Sequence, residues 1–173
     1  MKNYGRSART LLNKGDNPIQ KEQAWRDALA FKADVVVLKL GTNDSKPGNW
    51  QFGGEFESDL RSMIDQLNPK VPVLNKKGKS TKKLQRSQKP RIILCTPVPA
   101  YKPSWGISDS VIVNNIIPII NKVAQDEHLE VIDLHSIFDN ADGKAMQSDG
   151  IHPTEAGDSQ IAKAVLGKLR IEN

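Results

Sequence analysis

Six residues, Val35-Val36-Val37-Leu38-Lys39-Leu40, form an almost continuous apolar run that stops abruptly at Gly41-Thr42-Asn43-Asp44. A run this short and apolar reads as a strand of the kind buried on both faces in a parallel sheet. Because it ends in glycine and polar residues, it sets an asparagine amide and a pliable backbone at the carboxyl edge of that sheet. Open α/β folds hold their ligands at that edge.

The rest of the chain alternates in the same sense. Asn17-Pro18 pairs a helix cap with a first helical position, and Ala24, Trp25, Ala28 and Leu29 follow at three-to-four spacing, predicting a helix over 18–32. A second amphipathic helix is expected over 54–67, through Leu60, Met63, Ile64 and Leu67. Arg91 to Thr96 is the next strand, ended by Pro97 and Pro99, and a helix over 109–127 carries Pro118, which should kink or distort it. A strand over 130–134 and a last helix over 154–169, burying Ile161, Ala162, Val165, Leu166 and Leu169, complete the series. Helix and apolar strand in alternation predict an α/β fold with a parallel sheet covered on both faces.

At 173 residues and 19.2 kDa, one domain spanning 1–173 is expected. No apolar run approaches the roughly 20 residues of a membrane-spanning helix. The lone Cys95 excludes an internal disulfide and leaves the redox compartment open, and no apolar stretch of the signal-peptide kind follows Met1-Lys2. The net charge of +5 has a local source: ten basic residues and no acidic one lie between Gln66 and Ser108. Residues 75–90, lysine-rich and without apolar periodicity, read as a long solvated basic loop. An anionic polymer could bind there, but no aromatic residue interleaves the lysines to stack on bases, which speaks against nucleic acid as a partner.

About a hundred residues after Asn43, Asp149-Gly150-Ile151-His152-Pro153 places an acid and a base three apart. His152 is the natural general base, and Asp149 could accept the imidazole N–H and fix its tautomer. Acyl transfer needs donors where negative charge develops on the carbonyl oxygen, and Asn43 could offer a side-chain N–H. Each string also has a plain reading, Asn43 ending a strand and His152 entering a helix. Asp44 is expected to brace the turn rather than to act on substrate.

Taken in order, Asn3-Tyr4-Gly5-Arg6-Ser7, Gly41-Thr42-Asn43-Asp44 and Asp149-Gly150-Ile151-His152-Pro153 resemble three sequence blocks of the SGNH (GDSL-type) hydrolase superfamily. The strings running from Gly5 to Thr10 and from Gly41 to Trp50 look similar to bacterial carbohydrate acetylesterases, relatives of sialate O-acetylesterase and xylan acetylesterase. The resemblance implies a flavodoxin-like three-layer α/β/α fold and a Ser-His-Asp esterase. His152 and Asp149 would be catalytic, Gly5 and Asn43 would form the oxyanion hole, and the substrate would be a small ester or an acetylated carbohydrate. The resemblance also makes a secreted or periplasmic location an expectation, while the residues themselves show no Cys, His and carboxylate cluster at metal-ligand spacing and no glycine-rich phosphate loop after a strand, so no metal or other cofactor is assigned.

The superfamily's first block, an apolar strand ending in Gly-Asp-Ser, is expected before Gly5 and is not found in these residues. Gly157-Asp158-Ser159 falls inside the expected last helix and reads as coincidence; Ser7 would need a rearranged site. No nucleophile is therefore assigned. With the first strand absent, the strand at 35–40 should carry an unpaired edge, through which the chain could form a homo-oligomer. His128 should cap a helix end, His135 should end a strand, and Asp133 should brace a loop. Trp50, Tyr101 and Trp105 should stand in loops after the strands, stacking on sugar rings or shielding the core. A catalytically inactive binding protein is the competing class.

Overall fold

The computed structural model describes residues 1–86 and 89–170. Strands β1 (Val35–Lys39), β2 (Val71–Leu74), β3 (Ser80–Gln85), β4 (Arg91–Cys95) and β5 (Glu130–Ile132) divide into two sheets. The larger is parallel, in the order β1-β4-β5, with Val37 opposite Ile93 and Cys95 opposite Ile132. Helices α1 (Gln23–Phe31), α2 (Pro47–Trp50), α3 (Phe56–Leu67), α4 (Asp109–Val111), α5 (Ile117–Glu127), α6 (Leu134–Ile137) and α7 (Glu155–Arg170) flank it.

Strand periodicity sorts the core into two layers. Val36, Leu38, Ile92, Leu94 and Val131 share one face with Trp25 of α1, Phe56 and Leu60 of α3 and Ile120 of α5. Ile93, Cys95 and Ile132 share the other with Leu134, Phe138, Ile161 and Val165. Each fully buried side chain of this size contributes about 1.5–3 kcal/mol. Helices on both faces of a parallel sheet make the three-layer α/β/α arrangement.

Cover on the second face ends at β4. Val35 and Val37 of β1 are each 39% exposed, and no residue of β1 is buried. The expected burial of this strand on both faces is therefore corrected: among the described residues no strand pairs with its outer edge, and Val35 and Val37 on its second face stay partly open. The stripe expected on α7 is narrower than predicted. Ile161, Val165 and Leu169 pack on the core, whereas Ala162 and Leu166 are exposed.

The basic stretch is not a loop. β2 and β3 pair antiparallel into a two-stranded ribbon, with Val71 opposite Gln85 and Leu74 opposite Ser80. The reversal is built by Asn75, whose carbonyl accepts from Gly78 N–H (2.9 Å) and whose Oδ1 accepts from Lys77 and Lys79 N–H (2.9 and 3.0 Å). Gly78 there adopts φ +73°. Residues 87 and 88 of the expected loop lie outside the described ones.

Smaller differences follow from local chemistry. The first helix divides into a 3₁₀ turn, Ile19–Lys21, and α1, because Glu22 between them is extended. The helix over 109–127 runs through a π-turn, Ile112–Ile116, immediately before Pro118, which supplies no N–H to an α ladder. The strand expected over 130–134, β5, stops at Ile132, because the Asp133 carboxylate accepts from Ser136 N–H and caps α6. His135 accordingly sits in α6 rather than at a strand end. His128 ends α5 in the left-handed region, its N–H reaching the carbonyls of Ala124 and Gln125.

Candidate active site

β1 leads through Leu40 into Gly41, at φ +118°. A Cβ there would lie 2.9 Å from Ile116 Cγ2 and 3.1 Å from a Pro97 ring carbon. Glycine thus lets the chain turn between two packed elements into the 3₁₀ turn Asn43–Ser45. Asp44, with no exposed surface, reaches away from the cavity: its two oxygens accept from the N–H groups of Leu11 (3.1 Å) and Leu12 (2.8 Å). Burial outweighs these hydrogen bonds and raises its pKa to about 6. Asn49 completes the brace, donating to Asn43 O (2.8 Å) and Asp16 Oδ1 (3.1 Å). These bonds set residues 9–12 against the turn, and Asn43 Nδ2 donates one long bond, 3.3 Å, to Arg9 O.

The loop after β4 and the loop before α7 are laced together. Ser104 Oγ donates to Asp149 O (2.6 Å), Tyr101 N–H to Gly150 O (2.9 Å) and Lys102 Nζ to Ser148 O (2.8 Å). The first of these loops is held at its base by Asp109, which accepts from Ala100 N–H (2.7 Å) and lies 3.2 Å from His135 Nε2. Thr96 adds a bond from Oγ1 to Asp133 Oδ1 (2.9 Å).

Within the second loop the carboxylate of Asp149 works twice. Oδ1 accepts from Ile151 N–H (2.7 Å) and His152 N–H (2.9 Å), and Oδ2 lies 3.1 Å from His152 Nδ1. The two backbone donors, with the imidazole behind them, lower the Asp149 pKa from 3.8 to about 2, so the group is a carboxylate at any ordinary pH. An Nδ1–H donated to that carboxylate leaves the Nε2 lone pair free to take a proton. Trp105 stands edge-on to the imidazole, ring centroids 5.4 Å apart, and is 63% exposed. Its φ of +54° is uncommon for an aromatic residue, the kind of strain that gathers at functional sites.

These elements enclose a cavity of about 420 Å³, whose lining includes Arg6, Ser7, Asn43, Lys46, Trp105 and His152. The structure therefore brings Asn43 and His152 to one space, with Asp149 behind the imidazole. Gly5 is not among them. Its N–H is engaged by Asn3 Oδ1 (2.8 Å), and the residue lines an adjoining groove along β1 that shares Arg6, Lys39 and Leu40 with the cavity. Gly157-Asp158-Ser159 lies in α7, and none of the three lines the cavity; its glycine is buried where the helix passes Phe138 and Pro153 too closely for a Cβ. Trp50 packs at 5.8 Å from Phe56 and shields the core, whereas Trp105 opens to the cavity.

Sequence reasoning missed the cationic lining, Arg6, Arg9, Lys39 and Lys46, which the topology gathers from two segments. It also missed the lacing, because bonds to backbone carbonyls leave no residue-type signature. Among the described residues no group of three or more His, Cys, Asp or Glu is placed to hold a metal.

A family model for GDSL-like lipases and acylhydrolases matches residues 2–159. The chain belongs to the GDSL-like lipase/acylhydrolase family. An acetylxylan esterase of Xylanibacter ruminicola is 53% identical over 171 residues, 98% of this family member but 35% of that protein. The chain thus spans about a third of the length of that relative. Among solved structures, a lipase/acylhydrolase from Enterococcus faecalis matches with TM-score 0.62 and 22% identity, covering 87% of this chain and 66% of that one. The acetylxylan esterase Axe2 from Geobacillus stearothermophilus matches with TM-score 0.60 and 20% identity, covering 88% and 67%. At these identities the two structures support the SGNH hydrolase fold.

Proposed function

We propose that this chain carries the base, the orienting acid and an oxyanion donor of a serine esterase that removes acyl groups, foremost acetyl, from carbohydrate. The observation that carries the reading is the His152–Asp149 pair, Nδ1 to Oδ2 at 3.1 Å, opening on the same cavity as Asn43. His152 Nε2 takes the proton of a serine hydroxyl as it attacks the ester carbonyl, Asp149 stabilises the imidazolium, and Asn43 Nδ2 donates to the developing oxyanion. The imidazolium then protonates the departing sugar oxygen, which leaves as a hydroxyl, and water repeats the sequence on the acyl-enzyme. Acetylated carbohydrate is supported by the name of the 53% identical relative, an acetylxylan esterase. Trp105, exposed at the rim, offers a face on which a sugar ring can stack.

The nucleophile is the serine of a Gly-Asp-Ser block in this reading, and Ser7, though it lines the cavity, is not assigned that role. Members of a triad act as a unit. The 173 residues alone are therefore expected to hydrolyse acetylated xylo-oligosaccharide on the order of a thousandfold or more below a complete triad. They should still bind it, with Trp105→Ala weakening binding about tenfold. Assays of acetate release by the native chain and by Ser7→Ala and His152→Ala variants decide the matter. Ordinary turnover abolished by Ser7→Ala would assign the nucleophile to Ser7, and ordinary turnover indifferent to His152→Ala would sink the proposal.

A further inference from the structure

The β2–β3 ribbon has features that the esterase site does not use. It leads into β4 at Arg91, the amino end of the sheet, whereas the cavity lies at the carboxyl ends. Neither strand joins the parallel sheet. An isolated two-stranded ribbon is marginal in water unless something covers it.

Its charges divide sharply. At the root the cations are paired: Lys70 lies 2.7 Å from Glu127, and Arg86 lies 3.0 Å from Glu127 and 2.7 Å from Asp65. Along the blades and turn, Lys76, Lys77, Lys79, Lys82 and Lys83 are all exposed and, among the described residues, make no ion pair. The same blades leave Val71 46%, Leu74 60% and Leu84 55% exposed. Leu84 sits opposite Pro72, and Leu74 opposite Ser80.

Any occupant must satisfy lysines and leucines together. A second copy of the ribbon would set five lysines against five. A carboxylated polysaccharide would meet the charges and leave the leucines in water. Nucleic acid would find no aromatic residue to stack on and no unpaired arginine. A surface that is at once anionic and apolar just below its headgroups meets every term, because lysines are drawn to anionic lipid while short apolar side chains enter the boundary beneath. We infer that the β2–β3 ribbon is a docking element for an anionic lipid bilayer surface, with Leu74 and Leu84 at the acyl boundary and the five lysines at the headgroups. Arg86 and Glu127 hold the root rigid, so that the ribbon presents its blades as a fixed unit.

The test is co-sedimentation of the full chain with phosphatidylcholine vesicles, with and without phosphatidylglycerol, across a salt series. Binding is expected to the phosphatidylglycerol vesicles alone and to fall as salt rises. Changing Lys76, Lys77, Lys82 and Lys83 together to Gln should lower partitioning on the order of a hundredfold. Leu74→Ser with Leu84→Ser should lower it about tenfold at unchanged net charge. All of these positions are exposed, and unaltered circular dichroism and thermal unfolding would certify the fold. Equal partitioning, or none, with the two vesicle compositions would overturn the inference. So would a leucine variant that binds vesicles as the native chain does while the native chain binds polygalacturonate equally well, since that marks a general polyanion site.

Discussion

Two carboxylates in this molecule are driven in opposite directions by their surroundings. Asp149, at the surface, is held near pKa 2 by N–H donors, while Asp44, wholly buried, is raised to about 6 because burial costs its charged form more than two N–H bonds return. For Asp44 the folded pKa lies above the ordinary 3.8, so between these values the folded state holds a proton that the unfolded state has released. Stability must therefore fall as pH rises from about 4 to about 6, by about 3 kcal/mol in all. Denaturant unfolding at intervals across that window should show the loss, and Asp44→Asn should flatten it. Asp149 has the reverse sign: its contribution is complete above about pH 4 and is lost only as pH falls toward 2. Its task at His152 can be read directly by nitrogen NMR. The neutral imidazole should carry its proton on Nδ1, and Asp149→Ala should shift the population toward the Nε2–H form. A native spectrum dominated by Nε2–H would remove His152 as the base.

At the scale of elements, Glu127 is the clearest point of failure. At the end of α5, its carboxylate accepts from Arg61 (3.0 Å), Lys70 (2.7 Å) and Arg86 (3.0 Å), and its side chain and that of Arg86 are 7% and 9% exposed. Glu127→Ala leaves the Arg86 guanidinium nearly buried with Asp65 as its remaining acid, which should cost about 2 kcal/mol once the exposure of Lys70 is allowed for. Amide hydrogen exchange over 71–85 should then quicken while β4 stays protected; uniform protection would show that the ribbon is held by something else. The same element explains where sequence reading succeeded and where it did not. The three parallel strands and their helices were legible because hydrophobic periodicity reports burial, and two segments that meet at the candidate site because Gly41-Thr42-Asn43-Asp44 and Asp149-Gly150-Ile151-His152-Pro153 carry polar residues where apolar runs stop. The ribbon was hidden, because its strands bury almost nothing and so have no period to show; its signal was the Asn75-to-Gly78 turn, masked by lysines. Likewise, nothing in Gly5 itself reveals that Asn3 Oδ1 occupies its N–H.

For the whole molecule, the two terminal strands of the sheet, β1 and β5, are covered unequally. β5 is covered and tied, Glu130 bonding Arg91 at 2.5 and 2.8 Å and Lys168 at 3.1 Å. β1 is less well covered: its outer edge is unpaired among the described residues, and Val35 and Val37 are exposed beside a groove of about 520 Å³. An apolar strand with free N–H and C=O groups is a template for another strand, and charge is the usual means of blunting it. The 173 residues should accordingly self-associate through β1, giving a sedimentation coefficient that rises with concentration. Val37→Lys places a charge on the open face without touching the buried one, so it should return the chain to a monomer with its thermal unfolding unchanged. Should the native chain sediment as a monomer at every concentration, the edge is protected and this reading of β1 fails. Should Val37→Lys associate as the native chain does, contact is made elsewhere, and the lysine ribbon is disfavoured there by its own repulsion.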